Sequence, residues 1–243
     1  MKTVLALDTS TDVASLALRE GSRLIWEKEI PSQRSHSVAL FPALQEASQQ
    51  VDRIDRIAVG LGPGSFAGIR IAIAGALGLQ VAWECELVGI PSVLGLAAPS
   101  ASFIALGDAR RGAWYFSRIE RGECVEGPCL LEDDCALQKA LCAALPHFAN
   151  RLQTEGGNIV SAGSNGEMAD LILTTDASAR RWGAQLQNPR AKFLAELAAM
   201  DRGILQRVDL EPLYLREPHI TSPKGTSPAE RPPAGSSNSQ ERR

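Results

Sequence analysis

The sequence predicts an α/β protein in two lobes, each built from a β-β-β-α-β-α unit. Three observations predict it. The runs Val4–Leu7 and Arg56–Leu61 are continuously apolar, as in central strands covered on both faces. From His36 the period changes: Leu40, Leu44, Ala47 and Val51 recur at helical spacing. Finally, the stretch Val4-Leu5-Ala6-Leu7-Asp8 followed by Leu16 to Glu20 reappears one hundred residues later as Ile104-Ala105-Leu106-Gly107-Asp108 followed by Phe116 to Glu120. Both read apolar strand, aspartate, polar turn, second strand, glutamate, which is the mark of a duplicated unit.

The elements follow in order. Val4–Leu7 ends at Asp8-Thr9-Ser10-Thr11-Asp12, a run of turn formers. Val13–Leu18 and Leu24–Ile30 are two further strands joined at Gly21-Ser22, and Pro31-Ser32 ends the run. Ser35 is placed to cap the first helix, within which Pro42 is awkward. Arg56–Leu61 is the fourth strand, the helix from about Ser65 to Trp83 follows, and Glu86–Ile90 is the fifth strand. In the second half, Asn158–Ser161 echoes Arg56–Val59, and Asp134–Leu145 and Asn188–Leu205 read as helices. Five of the fourteen prolines fall between Pro218 and Pro233. Residues 218–243 are therefore expected to be a disordered tail, after an N-terminal lobe over 1–100 and a C-terminal lobe over 101–217.

Composition narrows the function. The 243 residues are 44% hydrophobic and 22% charged, with a net charge of −3. That is an ordinary globular balance. It lacks the basic excess of a protein that grips nucleic acid unaided. None of the five cysteines is paired at Cys-x-x-Cys spacing. The chain opens on a strand-like run without signal-peptide anatomy, so a cytoplasmic protein with reduced thiols is expected. Phe66–Trp83 holds one charge, Arg70, and just meets the length of a membrane span. Its glycines, alanines and Gln80 favour a buried helix instead, and no membrane partner is expected.

The stretch GLGPGSFAGIR, residues 60–70, carries the chemical question. A phosphate-binding P-loop needs a lysine, and none lies between Lys28 and Lys139. A dinucleotide fingerprint begun at Gly60 or Gly62 lacks its third glycine. The remaining reading is a tight strand-to-helix corner. Gly60, Gly62 and Gly64 allow close backbone approach, Pro63 stiffens the turn, and Ser65 caps a helix that runs on through Gly68 and Arg70. A helix N-terminus still attracts anions. The Asp8 turn has Ser10 where actin-like ATPases carry a glycine of their phosphate loop. No metal site is read either: the position one turn after His36 is Leu40, which cannot ligate.

Asp8-Thr9-Ser10, Arg34-Ser35-His36-Ser37 with Leu40 and Pro42, the whole of Gly60–Arg70, Asp108-Ala109-Arg110-Arg111-Gly112, and Pro212-Leu213-Tyr214-Leu215-Arg216 occur in this order. Together they resemble the TsaB (YeaZ) family from residue 1 to about 217. The resemblance implies an actin-like fold of the ASKHA (sugar kinase/Hsp70) class. It implies a non-catalytic, dimerising and activating subunit in the synthesis of N6-threonylcarbamoyladenosine on tRNA. The implied partners are a TsaD-type transferase, which holds the metal through two histidines one helical turn apart, and a TsaE-type ATPase. A homodimer is possible when the chain is alone, tRNA is reached only through the complex, and the chain needs no cofactor or metal of its own. Any nucleotide is expected on the partner or at the subunit junction. Ala67 and Ala72 stand where the family usually has Thr and often Gly. The rival readings are a stand-alone metallopeptidase of the glycoprotease type and an actin-fold kinase.

A helix apolar on every side must be covered on every side. The sheet covers one side of Phe66–Trp83, and the earlier helix covers part of the rest. The expected partner interface is Leu40, Leu44 and Ala47 with Ile69, Ile73, Ala76 and Leu77, two helices from each subunit forming a four-helix bundle. Gly75 and Gly78 would let the helices approach closely.

Overall fold

Alternation along β1 (Thr3–Asp8) decides how the first lobe is layered. Leu5 and Leu7 enter one apolar cluster while Val4 and Ala6 enter another, as the two-residue period of a strand requires. The computed structural model describes residues 1–31, 36–97, 102–144, 152–155, 158–161, 172–174 and 184–216, with side chains described outside 36–39, 152–161 and 172–173. The expected tail, residues 218–243, lies outside the described residues.

With β1 stand β2 (Val13–Glu20), β3 (Arg23–Pro31), β4 (Arg56–Gly60) and β5 (Glu86–Ile90), in the order β3-β2-β1-β4-β5. β1 runs antiparallel to β2 and parallel to β4. On the Leu5 and Leu7 side lie α1 (His36–Ser48) and α2 (Phe66–Trp83), burying Leu40, Leu44, Ile69 and Ile73 against Leu16, Ile57 and Val59. α1 continues through Pro42, which faces solvent.

The second sheet repeats the first. β6 (Phe103–Asp108), β7 (Trp114–Glu120) and β8 (Glu123–Leu131) precede α3 (Asp134–Ala144). β9 (Leu152–Glu155) and β10 (Asn158–Ser161) follow, then β11 (Ile172–Thr174), β12 (Gln185–Leu186) and α4 (Ala191–Ala199). The order β12-β11-β6-β7-β8 is that of the first sheet, with β6 antiparallel to β7 and parallel to β11. The fold is thus the two-lobed actin-like α/β fold expected. One assignment within the duplication is corrected. The counterpart of β4 is β11, while among the described residues Asn158–Ser161 pairs with β9 in a separate two-stranded sheet. A short apolar strand followed by glycines does not reveal its pairing partner.

The second helix expected late in the chain, over 188–205, is shorter, and it packs elsewhere. α4 buries Ala191, Leu194, Ala195 and Ala198 against Val4, Ala6, Ala17 and Ala58 of the first sheet. The small residues of both surfaces let helix and sheet approach. Phe103, Ala105, Tyr115 and Ile119 of the second sheet join the same cluster, so one core holds both lobes. The chain stays on the first lobe after α4: Gln206 bridges to Gly89, and the Leu213 amide donates to the Leu61 carbonyl at 2.8 Å. The second sheet therefore ends at β12, and residues 190–214 cover the first lobe although the sequence reading grouped them with the second.

Arg56, buried at the start of β4, secures this return. Its guanidinium donates to the Ala198 carbonyl at the C-terminal end of α4, and it pairs with Glu86 at 2.6 Å and Asp201 at 2.9 Å. Arg207 bridges the same two carboxylates at 2.8 Å each. Its hydrogen bond first, then that of Arg56, holds the Asp201 carboxyl below its ordinary range.

Candidate functional site

The glycine stretch and the first hairpin turn are pressed together. The Ser65 amide donates to the Ser10 carbonyl at 2.7 Å, and the Thr9 hydroxyl donates to the Gly68 carbonyl at 2.7 Å. A Cβ on Gly64 would run into Ser10 backbone, one on Gly68 into the Thr9 carbonyl, and one on Gly60 into the Asp8 carboxylate. Gly62, at φ +93°, takes the left-handed backbone that favours glycine, and its amide donates to Ser92 Oγ at 2.9 Å. Pro63 follows it in a buried cis peptide.

These contacts tie the glycine stretch to the first hairpin turn. Ser65 Oγ takes the Gly68 amide at 3.2 Å, and the Ser65 carbonyl takes that of Ile69 at 3.0 Å. Asp8 turns inward: its Oδ1 accepts the Ser10 amide at 2.9 Å and the Ser10 hydroxyl at 2.6 Å. Asp8, Thr9 and Ser10 are all buried. The stretch turns a corner and welds two loops.

The metal question falls on α1. Leu40, one turn after His36, is wholly buried in the core; the His36 side chain lies outside the described residues. Among the described residues no group of three or more His, Cys, Asp or Glu is placed to hold a metal ion. The five cysteines are free. Burial pushes the thiols of Cys85, Cys124 and Cys129 up, and Cys124 Sγ donates to the Glu126 and Gly127 carbonyls at 3.4 and 3.3 Å.

The expected interface needs correction. Leu40, Leu44, Ala47, Ile69, Ile73 and Ala76 are interior, packed on the lobe's own sheet; of the seven residues only Leu77 is exposed. Gly75 explains the arrangement. A Cβ there would stand 3.2 Å from Leu44 Cδ1, so this glycine admits α1 and serves packing within the chain. Gly78 faces open space. The stripe assigned to a partner was the core stripe.

The outward surface lies one third of a turn away. Phe41 is 54% exposed, Phe66 41%, Leu77 46% and Val81 81%, with Ala74 and Gly78 between them. From Arg70, itself exposed, positions 74, 77, 78 and 81 follow at helical spacing, so they share its face. The lone charge of α2 was the signal that identified the solvent side. At the N-terminal end of this surface, Arg70 lies 4.0 Å from the Phe66 ring centroid and donates to Tyr214 Oη at 2.7 Å. The Phe66 and Tyr214 rings stack at 4.9 Å. Four large apolar side chains and a polar clamp are therefore exposed along α1 and α2, a surface of the kind that marks an interaction site.

The comparisons agree with the fold. The family model of TsaD, tRNA N6-adenosine threonylcarbamoyltransferase, matches residues 30–131. The chain is 26% identical over 237 residues to a Haemophilus influenzae protein named tRNA threonylcarbamoyladenosine biosynthesis protein TsaB, covering 88% of this chain and 93% of that one. The Escherichia coli protein of the same name is 30% identical over 130 residues, 49% of this chain and 56% of that one. A solved Pseudomonas aeruginosa structure, described as similar to the peptidase YEAZ, superposes with a TM-score of 0.62 at 23% identity, covering 89% of this chain and 100% of that one. A second structure, YeaZ from the same organism, gives 0.59 at 22% identity, with 88% and 100% covered.

Proposed function

Because the chain belongs to the TsaB (YeaZ) family, we propose that it serves tRNA threonylcarbamoyladenosine synthesis as a non-catalytic subunit that binds and activates a TsaD-type transferase. The observation that carries this reading is the strip of Phe41, Phe66, Leu77 and Val81 along α1 and α2. It supports docking against the equivalent helices of a partner with the same fold, which would complete a four-helix bundle. Ala74 and Gly78 leave room for a second helix to come close. The closed corner at Gly60–Ser65 supports the non-catalytic part of the reading, because the loops that would hold a phosphate hold each other.

α2 is long and apolar enough to cross a membrane, with a third of its window, 33%, buried. In this reading its uncovered part meets protein. The chain works in the cytoplasm, reaches tRNA as part of the complex, and is joined there by a TsaE-type ATPase. Alone, it uses the same strip to form a homodimer. The two lobes, with α4 shared between them, act as one rigid support.

The test is co-purification with the TsaD-type protein of the same organism. Leu77→Asp with Val81→Asp is expected to abolish association while the circular dichroism spectrum and melting temperature stay those of the wild type. A complex that survives in the folded double variant removes this surface from the interface. Sedimentation of the isolated chain, with and without the two substitutions, tests the homodimer in the same way.

A further inference from the structure

The β6–β7 turn is the counterpart of the sealed first turn, and its tip is exposed. Asp108 folds it as Asp8 folds the other: the Arg110 amide donates to Asp108 Oδ1 at 2.6 Å, as that of Ser10 does to Asp8 Oδ1 at 2.9 Å. There the likeness ends. Ser10 is buried beneath Gly64, whereas Arg110 and Arg111 stand in solvent, the Arg110 side chain 85% exposed.

Three successive residues of this turn are left-handed: Arg110 at φ 65°, Arg111 at 57° and Gly112 at 76°. Glycine takes that backbone freely, but an arginine pays for it in contacts between its Cβ and the following carbonyl. The fold does not demand arginine here. Among the described residues, Arg110 has one ion pair, to Asp108 at 3.5 Å, and Arg111 has none. The amides of Arg111 and Gly112 donate to no described residue, and a Cβ on Gly112 would meet nothing within 4 Å. Two guanidinium groups and two free amides thus gather at one exposed tip, on a backbone that glycine would suit better. Unrelieved left-handed residues of this kind collect at ligand-binding points.

We propose that the Arg110–Arg111 turn binds phosphate, and specifically a phosphate of an RNA backbone; the choice of RNA rests on the function proposed above. Guanidinium groups and backbone amides are the donors that position nucleic-acid phosphates. Among the described residues no side chain beside the turn is placed to enclose a base and ribose, which favours a backbone phosphate over a free nucleotide. A backbone phosphate needs no walls, since the rest of the RNA is held elsewhere. A chain of net charge −3 does not collect RNA by its overall field. Two directed contacts that add to those of a partner suit that charge.

The experiment uses the full chain with its TsaD-type partner and a labelled, unmodified tRNA transcript, titrated at low and moderate salt. Arg110→Gly with Arg111→Gly is expected to weaken tRNA binding about tenfold at the lower salt and to lower the slope of affinity against salt by roughly one to two contacts. Its melting temperature is expected not to fall, because glycine suits the left-handed positions; a purely structural pair would lower it. Arg110→Lys with Arg111→Lys is expected to restore most of the affinity. Unchanged affinity and salt slope in the glycine variant would overturn the inference. Loss of partner binding in that variant would also do so, assigning the turn to a protein contact, as would loss of Mg-ATP binding with tRNA binding intact. If the wild-type chain forms no complex at all, the proposed function fails separately. The same two variants titrated with tRNA and the chain alone then decide the inference, equal binding overturning it.

Discussion

Two hairpin turns stand at the ends of equivalent strands, and they have opposite fates. The Asp8 turn is roofed by the glycine corner: Thr9 holds Gly68, Ser10 holds Ser65, and no residue from 8 to 10 meets solvent. The Asp108 turn keeps the same aspartate-to-amide bond, no described residue roofs it, and its exposed tip carries Arg110 and Arg111. Duplication copied the backbone, not its surroundings. A turn becomes a weld or a contact point according to which other loop reaches it.

The largest effect expected from this contrast is at the glycines. Gly64→Val or Gly68→Val drives a side chain into the backbone of the facing turn and is expected to remove more than about 3 kcal/mol of stability, enough to lose the folded monomer. Gly112→Ala, in the open turn, is expected to cost only about 1 kcal/mol through its left-handed backbone. Thermal melts read both, and near-equal losses would erase the distinction between sealed and open turns.

Next comes the matching contrast across α1 and α2. Leu44→Glu places a charge in the core and is expected to unfold the chain, at a cost of about 3 kcal/mol or more. Val81→Glu, on the outer strip, is expected to stay within about 0.5 kcal/mol of wild type. Denaturant titrations separate the two, and a stable Leu44→Glu protein would return that residue to the surface.

A smaller effect belongs to the weld itself. Thr9→Val removes the donor to the Gly68 carbonyl and is expected to cost about 1–2 kcal/mol, with the fold retained. A neutral result would place the strength of the corner in its glycines alone.

The smallest concerns the clasp that keeps α4 on the first lobe. Arg207, then Arg56, lowers the Asp201 carboxyl below its unfolded value, near the ordinary 4 or so of a carboxylate. A depressed folded value means the contribution is present above the unfolded pKa and is lost as pH falls through the folded one. Melting temperature below about pH 4 is therefore expected to fall less steeply in Asp201→Asn than in the wild type. Parallel acid limbs would remove Asp201 from the pH response.

How much was legible is clearest along α2. Its length, its capping Ser65 and its apolar character on every side were all in the sequence, and the helix runs Phe66–Trp83 as expected. Its orientation was misread. Ile69, Ile73 and Ala76 form a convincing stripe, but so do Ala74, Leu77 and Val81. Periodicity names a face only when the opposite one is polar, and here only Arg70 broke the tie. The closed corner was more legible, because glycine and proline restrict the backbone where they stand.

Strand and helix periods, the hundred-residue repeat, the corner at Gly60–Ser65 and the missing ligand position at Leu40 are local properties, carried by residue type and spacing within a few turns of chain. The sequence alone determined them. Tertiary structure decided the rest. It chose β11 over Asn158–Ser161 as the partner of β6, brought α4 back across to the small-residue face of the first sheet, and turned Leu44 and Ile73 inward and Val81 outward. The physical reason is that pairing and facing depend on the relief of a second surface. Val4, Ala6, Ala17 and Ala58 leave a shallow hollow that fits the alanine side of α4, and that fit joins residues some two hundred positions apart.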